Sequence, residues 1–288
     1  MNTEQEQNKL QNGILYIVPT PIGNMNDVSP RAIKTLGECD FVAAEDTRVG
    51  GKLLMLLGIK KPLVSYHEHT DRHKIDMIAE RILSGETCAL ITDAGTPAVS
   101  DPGEKLVKAC AERDITVVPL PGPCAAITAL SASGLESRRF CFEGFLPEKG
   151  VQEYLDEIKA ETRTMIFYAA PHDLIKVIQQ LHGALSDRKC VLAKELTKLN
   201  ECFLRTTLSS LESDVLSRGE AFLKGEFIII VEGAKKDEND WNETDIPTHV
   251  KYYLSMGLSK MDACKQVARD RKVSKSVIYK IVSELDEI

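Results

Sequence analysis

From residue 14 to residue 134, apolar runs of strand length alternate with segments of helical spacing, and this alternation leaves few folds open. ILYIV (14–18), FVAAE (41–45), PLVSYH (62–67), CALIT (88–92) and ITVVPLP (115–121) are short and apolar, as buried strands are. Between them lie helical segments at 29–39, 52–58, 72–86 and 104–114, with a fifth of small residues at 125–134. Ser29 and Pro30 stand where an N-cap and a first helical residue belong, and Gly58 and Gly85 close their helices. In the third helix the apolar residues at 75, 78, 79, 82 and 83 mark one face. The rhythm predicts an α/β fold with a mostly parallel sheet covered on both sides.

A second α/β block follows, with strands at 140–147, 164–171, 190–196 and 226–233 and helices at 151–161, 173–185 and 208–220. The organisation expected is a disordered tail at 1–13, an N-terminal domain at 14–134 and a C-terminal domain at 135–234. A polar linker at 235–245 then leads to a basic helical tail at 246–288. In that tail Ser259 and Ser274 are placed to cap two short helices joined by KVS, a pattern resembling a helix-turn-helix. Residues 251–281 carry eight Lys/Arg against two Asp, a net +6, so the rest of the −7 chain carries −13. A basic end on an acidic body suits an anionic partner such as nucleic acid, or is a solvated helical face.

No apolar run has the ~20 residues of a membrane span, so no membrane partner is expected and the protein reads as cytoplasmic. The eight cysteines are never closer than 12 residues apart, which argues against a compact zinc knuckle. His67, His69 and His73 fall within seven residues, but only His67 and His69 share a strand face and no cysteine accompanies them, so no metal is expected. Glycine-rich dinucleotide and P-loop motifs are missing, as is the GxSxG elbow.

What remains is a set of irregular strand ends on the carboxyl side of the sheets, where open α/β sheets bind ligands. They are VPTPIGNMND, AAEDTR, SYHEHT, TDAGTP, PLPGPCA, YAAPH and KELTK. TDAGTP is either a turn or a backbone cradle beside one carboxylate, and the glycine of PLPGP lets a flat ring approach the backbone. EDTR either grips a phosphate or ribose or is a plain ion pair. His172, Lys194 and Glu195 are candidates for proton transfer or charge steering in the second block.

The order TPIGNMNDVSPRAIKTL, AAEDTR, SYHEH, TDAGTPAVSDPG, VPLPGPCAAITALSASGL, GFLP, YAAPH, ELTK resembles one branch of the tetrapyrrole methylase superfamily. That branch methylates the ribose 2′-hydroxyl of a cytidine in the decoding region of 16S rRNA, in the small ribosomal subunit. The resemblance is dense over 14–233, and LSKMDACKQVA…SKSVIYK also looks like that branch's tail. It implies a two-domain tetrapyrrole-methylase-like fold with S-adenosyl-L-methionine between the domains, commonly in a homodimer. Pro21, Thr92, Asp93, Ala94, Gly95, Val99, Cys124, Ala125, Ala169 and Leu196 then fall where relatives touch the cofactor. Asp46, Glu68 and Glu195 are the candidate bases, and Arg48, His67, His69 and Lys194 the candidate substrate contacts. Three features depart from the branch: Ala169-Ala170-Pro171-His172-Asp173 replaces its Glu-Ser-Pro-His-Arg, Asn200 stands where it often has histidine, and Thr206 or Thr207 where it has glycine. The competing readings are a methylase of a porphyrinoid precursor and a non-catalytic ribosome-binding protein that keeps the fold. The first loop, with Pro19, Pro21 and Asn24 instead of Gly-Pro-Gly-Asp, argues against the former.

Overall fold

The computed structural model describes residues 10–235, 244–271 and 273–285. The expected disordered tail over residues 1–9, and residues 236–243 of the expected linker, lie outside them. The described chain forms two compact units, one ending at Ala234 and one starting at Lys235.

The first unit contains two five-stranded sheets. Strands β1 (Ile14–Ile17), β2 (Phe41–Ala44), β3 (Leu63–Ser65), β4 (Cys88–Ile91) and β5 (Thr116–Pro119) run parallel in the order β3-β2-β4-β1-β5. Helices α1 (Pro30–Glu38) and α2 (Thr47–Leu56) cover one face, over Tyr16, Val42 and Ile91. Helices α3 (Arg72–Leu83) and α4 (Glu104–Ala111) cover the other, over Leu15, Phe41 and Leu90. The central strands are buried on both faces, which is why they read as continuous apolar runs. Helix α2 starts five residues before the expected 52, because Asp46 caps it by accepting the Arg48 N–H at 2.8 Å.

After α5 (Ala125–Ser133), the second sheet is built from β6 (Phe140–Phe145), β7 (Thr164–Ala169), β8 (Lys189–Lys194), β9 (Cys202–Thr207) and β10 (Phe227–Val231). Its order is β6-β7-β10-β8-β9; only β6 and β7 pair in parallel. Strand β9 was not foreseen in the sequence. It is a half-buried edge strand whose Arg205, Thr206 and Thr207 hide the apolar signal. Helices α6 (Val151–Ile158), α7 (Leu174–Leu185) and α8 (Leu208–Leu216) pack on one face of this sheet. The other face receives α5 and Ile22 of the first loop: Ala126, Ala129 and Leu130 meet Ile166, Val191, Ile228 and Ile230. Arg205 reaches from β9 to the end of α5, donating to the carbonyls of Ala132 (2.5 Å) and Ser133 (3.2 Å), two of the orphan acceptors of a helix end.

The second unit is three helices, α9 (Ile246–Ser255), α10 (Lys260–Asp270) and α11 (Lys275–Leu285), around Val250, Cys264, Val267, Ile278 and Val282. Ser259 caps α10 as expected; α9, which the sequence reading did not resolve, is capped by Asp245. Buried His249 is fixed between Asp270, 3.2 Å from Nε2, and Arg271, whose Nε donates to Nδ1 at 3.1 Å. That pairing makes Nδ1 an acceptor, the neutral tautomer; burial and then Arg271 lower the pKa of the ring.

Alternation along β8 separates two neighbours. Ala193 faces α5 and Ile22, whereas Lys194 points to the opposite side, 8% exposed, its ammonium 4.9 Å above the Phe222 ring and 5.8 Å from that of Phe227. Lys194, a candidate substrate contact in the sequence, is thus packed against aromatic rings and is not part of the cavity wall. Lys194→Met is expected to hold or raise the melting temperature, whereas Lys194→Glu, which buries an unpaired anion, should lower it by several degrees. Thermal denaturation followed by circular dichroism checks both; indifference to Lys194→Glu would mean that the ammonium stands in water.

Candidate functional site

The first loop and the loop after β4 are stitched together. Thr20 and Gly95 exchange backbone hydrogen bonds (2.9 and 3.2 Å), and the Thr20 hydroxyl donates to the Thr92 carbonyl at 3.1 Å. Gly95 sits at φ +91°, and a Cβ there would touch Ile22 at an ordinary 3.6 Å. Its backbone angle, not a lack of space, calls for glycine. Gly122 of the PLPGP turn is the opposite case: a Cβ would lie 2.6 Å from Pro19 Cβ, so the ring that approaches its backbone is that of Pro19. Beyond Gly95 the chain stays strained, with Ala98 at φ 65° and Ser100 at φ 57°, and the loop after β8 carries Glu195 at 52° and Thr197 at 65°. Such non-glycine residues in the left-handed region cost of order 1–3 kcal/mol each and gather where a backbone is shaped for a ligand.

These two strained loops border a cavity of about 350 Å³ between the carboxyl edge of the first sheet and the second sheet. Ala94, Gly95, Val99, Cys124 and Ala125 line it from the first half, and Ala169 and Leu196 from the second. Pro21, Thr92 and Asp93 flank the lining; Pro21 lies between the Thr20 bridge and lining residue Ile22. The sequence reading missed Asp101, Tyr168, Glu226, Phe227 and Ile228 on the wall. Phe227 and Ile228 begin β10, with Glu226 just before it; the strand runs antiparallel to β7 and β8, so its amino end meets their carboxyl ends. A search confined to carboxyl strand ends has no view of them. The substituted Ala169 and Ala170, with Pro171, form apolar wall, while His172 is exposed and paired with Asp173 at 3.1 Å.

None of the three candidate bases lines the cavity. The Arg48 guanidinium, at 2.5 Å, and the Arg48 N–H hold the Asp46 carboxyl down at about 2, which makes it a cap and an ion pair rather than a base. Glu68 is exposed in the turn after edge strand β3, 3.3 Å from Lys105. Glu195 joins the end of β8 to the start of β10 by accepting from Lys198 Nζ at 2.9 Å and the Glu226 N–H at 3.0 Å. Burial raises its pKa, and those hydrogen bonds outweigh it to leave a net lowering. Arg48, His67 and His69 are exposed on the carboxyl edge of the first sheet, outside the cavity wall.

The electrostatics of the mouth are acidic. Asp93 accepts the Asp46 N–H at 3.2 Å, and its own N–H donates to Glu45 at 3.3 Å. Burial, and then Asp93, Asp46 and Glu68, push the Glu45 carboxyl up. Asp101 is half-buried, and burial, Glu45 and Asp93 push it up to about 6. Among the described residues the charged groups on the wall are Asp101 and Glu226, with no lysine or arginine. The site thus suits a ligand that is apolar over most of its surface and cationic at one point, and is ill suited to polyphosphates.

Comparison with known proteins agrees with this architecture. The sequence pattern of the family described as Tetrapyrrole (Corrin/Porphyrin) Methylases matches residues 14–212. "Ribosomal RNA small subunit methyltransferase I" of Haemophilus influenzae is 47% identical, covering 83% of this chain and 84% of its own. The protein of that name from Halalkalibacterium halodurans is 44% identical over 98% of this chain and 99% of its own. Among solved structures, uroporphyrin-III-C-methyltransferase from Thermus thermophilus shares the fold at a TM-score of 0.55 and 19% identity, covering 76% of this chain and 94% of its own. Diphthine synthase does so at 0.57 and 14%, covering 76% and 90%. The chain is a methyltransferase and belongs to the tetrapyrrole methylase family.

Proposed function

We propose that the protein uses S-adenosyl-L-methionine to methylate the ribose 2′-hydroxyl of a cytidine in the decoding region of 16S rRNA. The observation that carries this reading is the cavity wall: small and apolar, with acidic side chains as its only charges among the described residues. Ala94, Gly95, Val99, Cys124, Ala125, Ala169 and Leu196, with Ile22 and Phe227, would hold the adenosyl and methionyl parts by apolar contact. Pro21, Thr92 and Asp93 would support them from behind. Bound there, the cofactor supplies an activated methyl group. The chain's share is to orient the two reactants and exclude water, and orientation alone can contribute ~7–11 kcal/mol.

Naming of the relatives supports ribosomal RNA over a porphyrinoid substrate, since proteins 38–47% identical carry the ribosomal name. On the substrate side, Arg48, His67 and His69 would meet RNA on the outer rim. Lys251, Arg269, Lys275 and Lys280, exposed on the three-helix unit, would add attraction for phosphates. Exposed Met55 and Leu56 at the end of α2 offer apolar surface to a second copy, in keeping with a homodimer. No described helix is long and apolar enough to cross a membrane, which accords with a cytoplasmic enzyme.

Labelled cofactor, incubated with small subunits that lack the modification, should yield a ribose methyl on one cytidine, mapped by mass spectrometry; no transfer to RNA would overturn the reading. Ala193→Leu, which places extra volume on the cavity wall, should weaken cofactor affinity at least ~10-fold, about 1.4 kcal/mol. Titration calorimetry checks this, and unchanged affinity would move the cofactor elsewhere. Deleting residues 246–288 should flatten the fall of RNA affinity with salt. An unaltered salt slope would show that the helical unit is not an RNA anchor.

A further inference from the structure

The cavity holds a carboxyl group that the sequence reading gave no role. Asp101 follows the strained Ser100 at the end of the loop after β4, and Asp-Pro-Gly then leads into α4. The loop is braced from below: the Ala98 N–H donates to the Pro102 carbonyl at 3.3 Å, and Ser100 lies against Gly144 of β6, where a Cβ would come within 2.8 Å of its hydroxyl. Asp101 therefore stands on a backbone fixed at both ends and contributes to the wall that Ala94, Cys124, Tyr168 and Phe227 also form.

We infer that Asp101 is the catalytic proton acceptor, taking the proton of the substrate hydroxyl as the methyl group is transferred. The inference rests on the reading of the chain as a ribose methyltransferase and names a residue for that reaction. The ribose oxygen takes the methyl carbon, the electron pair of the broken carbon–sulfur bond stays with sulfur, and the hydroxyl proton passes to the Asp101 carboxylate and then to water. Of the two acids on the wall, Glu226 is exposed and paired with Lys198 at 3.1 Å, whereas Asp101 is half-buried.

The groups that face Asp101 suit this role. Glu45 from the end of β2 and Asp93 from the end of β4 are both negative and oppose its ionisation, and burial does so more strongly. Tyr168 of β7 and Cys124 before α5 share the wall, and the tyrosine's pKa is pushed up to about 12 by burial first. With its pKa near 6, Asp101 is a stronger base than an ordinary carboxylate and is still ionised at neutral pH. Glu45 and Asp93, tied to each other by the Asp93 N–H, act through Asp101 and are positioning residues.

The same surroundings have a consequence for the ligand-free protein. A carboxyl whose folded pKa lies above its unfolded value of about 3.9 destabilises the fold once ionised. The cost is absent below about pH 4, grows as the pH rises towards 6, and is complete above it. Asp101→Asn removes it.

The test compares wild type, Asp101→Asn and Asp101→Glu. Without ligand, Asp101→Asn should melt about 2–4 °C above wild type at pH 8, the gap closing by pH 4. With cofactor and unmodified small subunits, its single-turnover rate should fall ~10²–10⁴-fold while cofactor affinity stays within about tenfold. The wild-type rate should rise with pH and level off, Asp101→Asn should lose that inflection, and Asp101→Glu should keep it at a reduced rate. A wild type that methylates RNA together with an equally fast Asp101→Asn overturns the inference alone. A slow Asp101→Asn that melts below wild type at pH 8, or keeps the pH inflection, makes Asp101 structural and also overturns it. A wild type that binds cofactor but transfers nothing to RNA overturns the underlying reading instead.

Discussion

The site depends on one apolar contact, that of α5 and Ile22 with the open face of the second sheet. The two sheets have separate cores on their outer sides. Where Ala126, Ala129 and Leu130 meet Val191, Ile228 and Ile230, the carboxyl edge of one and the face of the other are held opposite each other. The small residues of α5 are what allow this approach. At ~25 cal/mol per Å² of buried apolar surface, even a modest cluster of this kind outweighs the strain kept in the neighbouring loops. Arg205, capping α5 from β9, adds a polar tie across the same junction.

From that contact the chemistry of the cavity follows. A wall assembled from strand ends and a helix of small residues leaves room for an extended, mostly apolar ligand. Backbone and alanine side chains do most of the lining, so specificity falls to the few charged groups at the mouth. In the first sheet's loops these are the acids Glu45, Asp93 and Asp101. The same field that favours a cationic ligand raises the pKa of the carboxyls that create it, and so links cofactor recognition to proton transfer. A three-helix unit that carries positive charge stands beside this acidic body in the sequence, so attraction for RNA and attraction for a sulfonium are assigned to different parts of the chain.

Much of this was legible in the sequence, and the failures have identifiable causes. Parallel strands buried on both faces announce themselves as apolar runs, so β1, β2 and β4 were read with near-correct bounds. Edge strand β9 was not, because its polar residues are tolerated at a sheet edge. Seven cavity residues were named from the order of motifs, since carboxyl strand ends recur at fixed places in the chain. Phe227 and Ile228 could not be found that way, because they enter from the amino end of an antiparallel strand. The candidates that lie off the cavity wall have a common feature. Asp46, Glu195 and Lys194 are charged residues at strand ends, but a helix cap, a strand-joining clamp and a pair of aromatic rings had already engaged them. Asp101 lay in the Asp-Pro-Gly that follows TDAGTP, and only the folded loop brings that residue to the cavity wall.

The claim that the two sheets close on a methyl donor is tested most directly by hydrogen exchange, measured with and without S-adenosyl-L-methionine. The account predicts that protection rises together in 92–103, 122–126, 168–171, 193–197 and 226–228, segments far apart in the chain that share the cavity wall. Protection confined to one half of the first unit, or appearing only in the three-helix unit, would contradict it.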